Sequence, residues 1–239
     1  MLLKRPSLLL ISFFALAFTS DAGAQAFNKT FSVPPESGDL EVVNQTGSIR
    51  ITTGAAGKVV VNARQNPKQS DDETKIDASQ AEGGKIKIEV RGRGAVDFEI
   101  VVPPSVNLNL LCHKCSISVA NTTGAVTARN NDGMIQLIGL RSPRVEAHSA
   151  KGQVSFAGEI LPSGNYTLKS FSGRVDATLP VNADFKFQAS CYRGGMDLGN
   201  FPLKFQKQTD QLVEGMLGSG KASVSLWTQE GSIHLHRKP

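Results

Sequence analysis

Three groupings in this 239-residue chain have residue types and spacings that could do chemistry. The first, Cys112-His113-Lys114-Cys115, has the Cys-x-x-Cys spacing of a redox pair or of half a metal site. A tetrahedral site needs two further ligands, and the other histidines stand far along the chain, at 148, 234 and 236. A redox pair of this kind takes its low thiol pKa from a helix start, whereas these cysteines sit in a strand-like context. The structural reading is preferred, with both cysteines as small buried residues. The second grouping is Asp176 and Asp197, following Ser155 at matched positions. Carboxylates on adjacent coils would lie about 5 Å apart, suited to a cation or to glycosidic acid–base work. The opposing reading is two solvated side chains neutralised by Arg174 and Arg193. The third is the series Arg129, His148 and Lys169, with Phe171 and Tyr192 close by in phase. A basic stripe beside aromatic residues could hold an acidic glycan or another anionic polymer. The plain account is a solvated edge. The sequence has no phosphate-binding loop, no metal-binding histidine pair and no Gly-x-Ser-x-Gly elbow.

The elements that must position these residues announce themselves by repetition. A turn residue, then two apolar residues two and four positions on, recurs nine times. The copies start at Gly47, Cys115, Gly124, Gly133, Gly152, Gly173, Gly194, Gly220 and Gly231. Seven and five residues before the turn stand apolar pairs such as Leu40 and Val42, Leu108 and Leu110, Val145 and Ala147, and Tyr166 and Leu168. Three before it comes a small polar residue: Asn44, Asn121, Asn130, Ser149, Ser170 or Thr228. Cys112 and Cys191 fall in that same position. From Gly133 to Gly194 the turns are about twenty residues apart, the size of a β-solenoid coil. Alternation sends the apolar residues to one face, and stacking coils about 4.8 Å apart lines them into columns. Glycine belongs where the chain turns and the next coil approaches closely.

Before Pro103-Pro104 the alternation reads as ordinary antiparallel strands over 40–44, 48–52, 58–64, 74–79, 85–91 and 96–102. Gly83-Gly84 marks a hairpin turn, and Gln65–Glu73 an exposed loop. The expected fold is therefore all-β: an antiparallel layer over 27–104, then a β-helix-like solenoid of about twenty-residue coils over 105–239, in one domain.

The phrases Val42-Val43-Asn44-Gln45-Thr46-Gly47-Ser48-Ile49, Val101-Val102-Pro103, and Leu179-Pro180 followed by Phe185 and Phe187 resemble the bacterial putative-adhesin β-strand-repeat family, a domain of unknown function. The resemblance covers almost all of the chain after residue 26. It implies an exported or membrane-tethered protein with a solenoid-like β domain, and it supplies no catalytic residues.

At the N-terminus, Lys4 and Arg5 precede an apolar run over 8–18 and then Ala22-Gly23-Ala24 and Ala24-Gln25-Ala26. This reads as a secretory signal peptide over 1–26, and the run is too short for a spanning helix. No later segment is apolar enough to cross a membrane as a helix. The whole chain carries a formal charge of +5. Loss of Lys4, Arg5 and Asp21 leaves 24 basic and 20 acidic residues, too mild an excess to imply nucleic acid. Three cysteines are too few for a disulfide scaffold, and an odd number leaves at least one free.

The function expected is a non-catalytic exported envelope or surface module, periplasmic or secreted, with no cofactor and no metal. Its expected partner is an acidic glycan or another envelope protein. The alternatives are a polysaccharide-acting enzyme using Asp176 and Asp197, or a purely structural envelope protein. Mass measurement of the exported protein should place its N-terminus at Phe27; retention of residues 1–26 would contradict the export reading.

Overall fold

Alternating burial along the chain becomes seventeen strands in a computed structural model that describes residues 26–34, 38–66, 69 and 73–238. The proposed signal peptide lies outside the described residues apart from Ala26, and so does much of the expected 65–73 loop. No helix among the described residues is long and apolar enough to cross a membrane.

The strands form two parallel half-sheets that meet along a line of bends. The first contains, in spatial order, β5 (Lys85–Arg91), the first half of β2 (Asp39–Thr53), the first half of β7 (Asn107–Ala120), β8 (Val126–Asp132) and β10 (Arg144–Lys151). It continues through β12 (Asn165–Ser172) to the first halves of β17 (Ala222–Lys238) and β14 (Phe185–Asp197). The second half-sheet begins at β6 (Val96–Val102) and takes up the second halves of β2 and β7. After them come β9 (Ile135–Leu140), β11 (Val154–Gly158), β13 (Val175–Pro180) and the second halves of β17 and β14. Each level of the stack thus contributes one strand to each half-sheet. Antiparallel strands cover the ends, where unpaired backbone would otherwise be exposed. At one end β4 (Lys75–Gln80) lies on β5, β3 (Lys58–Gln65) on β6, and β1 (Ala26–Ser32) on β3. At the other, β16 (Leu212–Leu217) lies on β14 and β15 (Lys204–Gln208) on β16.

The core runs between the half-sheets. The inward pairs read from the repeat, including Val145 and Ala147 on one side and Val154 and Phe156 on the other, are buried in one cluster. Phe156 meets Tyr166 across it, with ring centroids 5.6 Å apart. The buried Tyr166 hydroxyl donates to the Ser142 carbonyl and accepts from the Leu161 N–H, both at 2.8 Å. A large aromatic therefore enters the core without an orphaned polar atom.

At the bends, a Cβ on Gly152 would run into the Gly133 carbonyl oxygen, and one on Gly173 into that of Gly152. Both glycines also hold positive φ, 136° and 154°, so close approach and conformation together exclude a side chain. The small polar residue three before each bend is buried and donates to the bend carbonyl of the preceding level. Ser170 reaches Gly152 at 2.8 Å, Thr228 reaches Gly173 at 2.9 Å, Ser149 reaches Gly133 at 3.2 Å, and Asn44 reaches Val96 at 2.8 Å.

Four expectations are corrected. The segment 27–104 is not an antiparallel layer throughout, because β2 runs parallel to β5, β6 and β7 and is itself a level of the stack. Alternation marks a strand but carries no record of its partner's direction. Gly124 and Gly220 are not bends; they precede the first-half-sheet strands β8 and β17. Asn121, at φ 61°, is exposed and stands outside the buried series. Finally, chain order is not stacking order: β17 inserts between the level of β12 and β13 and that of β14.

Bend geometry and core burial predict a ranking in chemical denaturation. Phe156→Ala should cost about 3–5 kcal/mol and Ser170→Ala about 1–3 kcal/mol. Gly152→Ala should cost more than about 1 kcal/mol. Gly195→Ala, where a Cβ meets nothing within 4 Å, should change stability by less than about 0.5 kcal/mol.

Candidate anion-binding groove

Parallel in-register pairing converts phase along the chain into columns across the sheet. In the position four before the bend, His148 on β10 pairs with Arg129 on β8 and with Lys169 on β12. Lys169 pairs in turn with Trp227 on β17, and Arg129 with Leu111 on β7. Two residues further along each strand, Phe171, Ala150, Asn131 and His113 form a second column. A groove of about 560 Å³ runs between the two columns, with Cys112 and, from the buried donor series, Asn44, Asn130 and Ser149 among its lining residues.

The electrostatics of the groove are uneven. Arg129 stands 3.9 Å from Glu146, whose stronger partner is Arg144 at 2.6 Å. That hydrogen bond with Arg144 is the main reason the Glu146 carboxyl is held below its usual pKa. Lys169 makes no ion pair among the described residues. His148 titrates below the ordinary imidazole range, first because it is partly buried and then because Lys169 and Arg129 repel its proton. Four buried side-chain atoms among the described residues have no hydrogen-bond partner, and three belong to this groove: Asn44 Oδ1, Asn130 Oδ1 and His148 Nε2. Buried polar atoms without partners are rare and costly. Phe171 is 55% exposed and tilts against Trp227 with centroids 6.3 Å apart, a small apolar platform at one end of the cationic column.

The structure therefore brings Arg129, His148, Lys169 and Phe171 together and leaves Tyr192 out. Tyr192 is exposed on β14, beyond the intervening β17, and does not line the groove. Trp227 takes its place. It stands four before Gly231, the phase of the basic column, so the repeat itself holds the signal, while the insertion of β17 beside β12 departs from chain order.

The carboxylate pair does not form. His234 of β17 pairs with Asp176 on one side and Asp197 on the other, which puts the aspartates two levels apart. Asp176 is buried rather than solvated. Its Oδ2 accepts from Arg174 Nε at 2.8 Å and Gln153 Nε2 at 2.6 Å, and His236 Nε2 lies 3.6 Å from Oδ1. Asp197 Oδ1 instead accepts the backbone N–H of Gly199. Arg193, expected beside it, pairs with Glu230 at 2.9 Å.

The cysteines are also resolved. Cys112 and Cys115 form a disulfide across the β7 bend with Cα atoms 5.8 Å apart, and Cys191 is a buried free thiol. Cys191 occupies the small-residue position, its Sγ 3.6 Å from the Gly231 carbonyl, and burial raises its pKa. Among the described residues no group of three or more histidine, cysteine or acidic side chains could hold a metal ion.

An all-β chain of parallel stacked levels with a groove lined by cationic, polar and aromatic residues is the class these observations define. Residues 126–236, from β8 into β17, match the Toastrack DUF4097 family, a domain of unknown function, and the resemblance to a putative-adhesin β-strand-repeat family holds. The match starts after the first two quoted phrases and is shorter than the resemblance implied. The chain is similar to a structure from Clostridium sporogenes ATCC 15579 described as a putative cell adhesion protein. That likeness has 12% identity, covers 90% of this chain and 100% of the other, and gives a TM-score of 0.48. A putative adhesin from Bacteroides fragilis NCTC 9343 is 11% identical, covers 88% and 97% of the two chains, and gives a TM-score of 0.27. No curated protein matches the chain.

Peptide mapping without reduction should recover one Cys112–Cys115 bridge and an alkylatable Cys191 only after unfolding. A Cys112–Cys191 bridge would overturn the stacking, which puts these residues five levels, about 24 Å, apart, far beyond disulfide reach.

Proposed function

We propose that this chain is a non-catalytic envelope or surface module, exported by its N-terminal segment and built as a solenoid of about twenty-residue coils, that binds a linear acidic glycan along the groove. The observation that supports this reading is the co-location in one groove of an in-register cationic column and an exposed aromatic platform. Arg129 and Lys169 stand two levels apart, about 10 Å, and attract anionic groups that recur along a polymer. Phe171 and Trp227 offer apolar faces to a sugar ring, the mixture of aromatic surface and a few placed polar groups that characterises ligand sites. A groove open along the stack suits a chain rather than a small molecule.

The enzymatic alternative loses its geometric basis, since Asp176 is covered and engaged and Asp197 stands a level further away than catalysis by an adjacent pair requires. A purely structural role leaves the unpartnered atoms of the groove without an account.

Replacing Arg129 and Lys169 together by glutamine should weaken retention on polygalacturonate at least about ten-fold, and raised salt should mimic the loss because exposed charges are screened. Replacing Asp176 and Asp197 should not weaken retention. Shortening of the polymer by the wild-type protein, abolished in the aspartate variant, would overturn the non-catalytic reading.

A further inference from the structure

His148 is placed oddly for a surface residue. It sits on β10 with a cation in register on each side, Arg129 from β8 and Lys169 from β12. Among the described residues the acidic group that acts on it is Glu146 of its own strand, which is already bound to Arg144. Its Nε2 is shut off from water and has no hydrogen-bond partner. His113, the other histidine of the groove, differs in that its Nδ1 lies 2.8 Å from Asn131 Nδ2. A neutral imidazole in the site of His148 leaves a ring nitrogen orphaned, and an imidazolium there would add a third positive charge to the column. Neither protonation state is satisfied by the protein's own described groups.

The geometry points to a proton-coupled anion seat, in which a glycan carboxylate lodges between Arg129 and Lys169 and is bound together with one proton on His148. This deepens the reading of the groove as a site for acidic glycan and rests on it. The carboxylate draws the two long flanking side chains onto itself, reaches Nε2 and accepts its N–H. The proton comes from solvent and stays on the ring, so charge balances without any covalent step. The bound anion offsets the repulsion that Arg129 and Lys169 exert on the imidazolium. It also supplies the missing hydrogen-bond acceptor, a charge-assisted one.

The sign follows from linkage. In the free protein burial and the two cations hold the His148 pKa below its ordinary value; in the complex the carboxylate raises it. Binding therefore takes up a proton between those two pKa values, and affinity rises as pH falls through that window. Below the free-protein pKa the gain levels off.

The test uses the full mature chain with polygalacturonate, and with dextran sulfate as an anion that stays charged throughout. Binding of both polymers is measured by calorimetry from about pH 8 to about pH 5, in two buffers of different ionisation enthalpy. Expected are roughly ten-fold tighter binding at the acid end and uptake of up to one proton. His148→Gln should flatten the profile, while His234→Gln, on the other half-sheet, should keep it. The imidazole resonances of the wild-type protein give a second readout that needs no variant. The His148 resonance should titrate below the ordinary imidazole range when free and move upward when polymer is added. Binding that is equally tight across the range, or a His148→Gln variant with the wild-type slope, would overturn the coupling and leave the groove reading intact. Failure of the wild-type protein to bind either polymer at any of these pH values would overturn both. Pronounced coupling with polygalacturonate and with dextran sulfate alike would support a seat that reads charge. Coupling with polygalacturonate alone would support one that fits the carboxylate.

Discussion

The contact on which the rest of this structure depends is the one between successive bends. At each bend a glycine lets its backbone lie against the bend carbonyl of the level before. Three residues earlier, a buried Asn, Ser or Thr donates a hydrogen bond to that same carbonyl. The two effects are complementary. The glycine sets how near the levels come, and the side-chain donor satisfies an oxygen that the bend removes from the regular ladder. A level displaced by one residue would put a Cβ into the carbonyl and turn the donor outward, so the register is fixed at the bend and carried into both half-sheets. Cys191 keeps the rule with a thiol in place of a hydroxyl. Only β7 departs from it, and there the disulfide joins the donor position to the bend position.

Fixed register is what makes a site out of separated residues. Arg129, His148 and Lys169 lie about twenty residues apart in sequence, but identical distance from the bend makes them neighbours in space. Like charges directly opposite one another on a sheet are destabilising, and this column places two permanent cations on either side of a third ionisable group. The bend geometry tolerates the arrangement because its own contacts lie one position away in phase, on the inward side. Stability and binding thus occupy alternate residues of the same strands. A change in the outward column need not disturb the series that holds the levels together.

Much of this was legible in the chain. Glycine phase, the inward apolar pairs and the buried small polar residues all follow from alternation and from counting, because each depends on distance along a single strand. What could not be read is which strand lies beside which. Nothing local to Leu40 or Val42 distinguishes a parallel neighbour from an antiparallel one, so alternation alone makes β2 look like part of an ordinary layer. Nothing near Gly231 states that its level inserts before that of Gly194. The disulfide was obscured for a related reason: Cys112 and Cys115 each fit a column of the repeat individually, and only the bend brings their sulfurs together.

The insertion of β17 shows how far one such pairing reaches. Had the levels followed chain order, Asp176 and Asp197 would be neighbours, Phe171 and Tyr192 would share an end of the groove, and a carboxylate face would compete with the cationic one. Insertion puts His234 between the aspartates and Trp227 beside Lys169. It therefore removes the arrangement that resembled an acid–base pair and completes the one that resembles a binding surface. Both changes come from the same main-chain event, which serves a structural need. An internal position for β17 gives each of its halves a strand on both sides, and β14 then receives β16 as its antiparallel cover. The chemistry on the outer face is a consequence of how the stack closes its end.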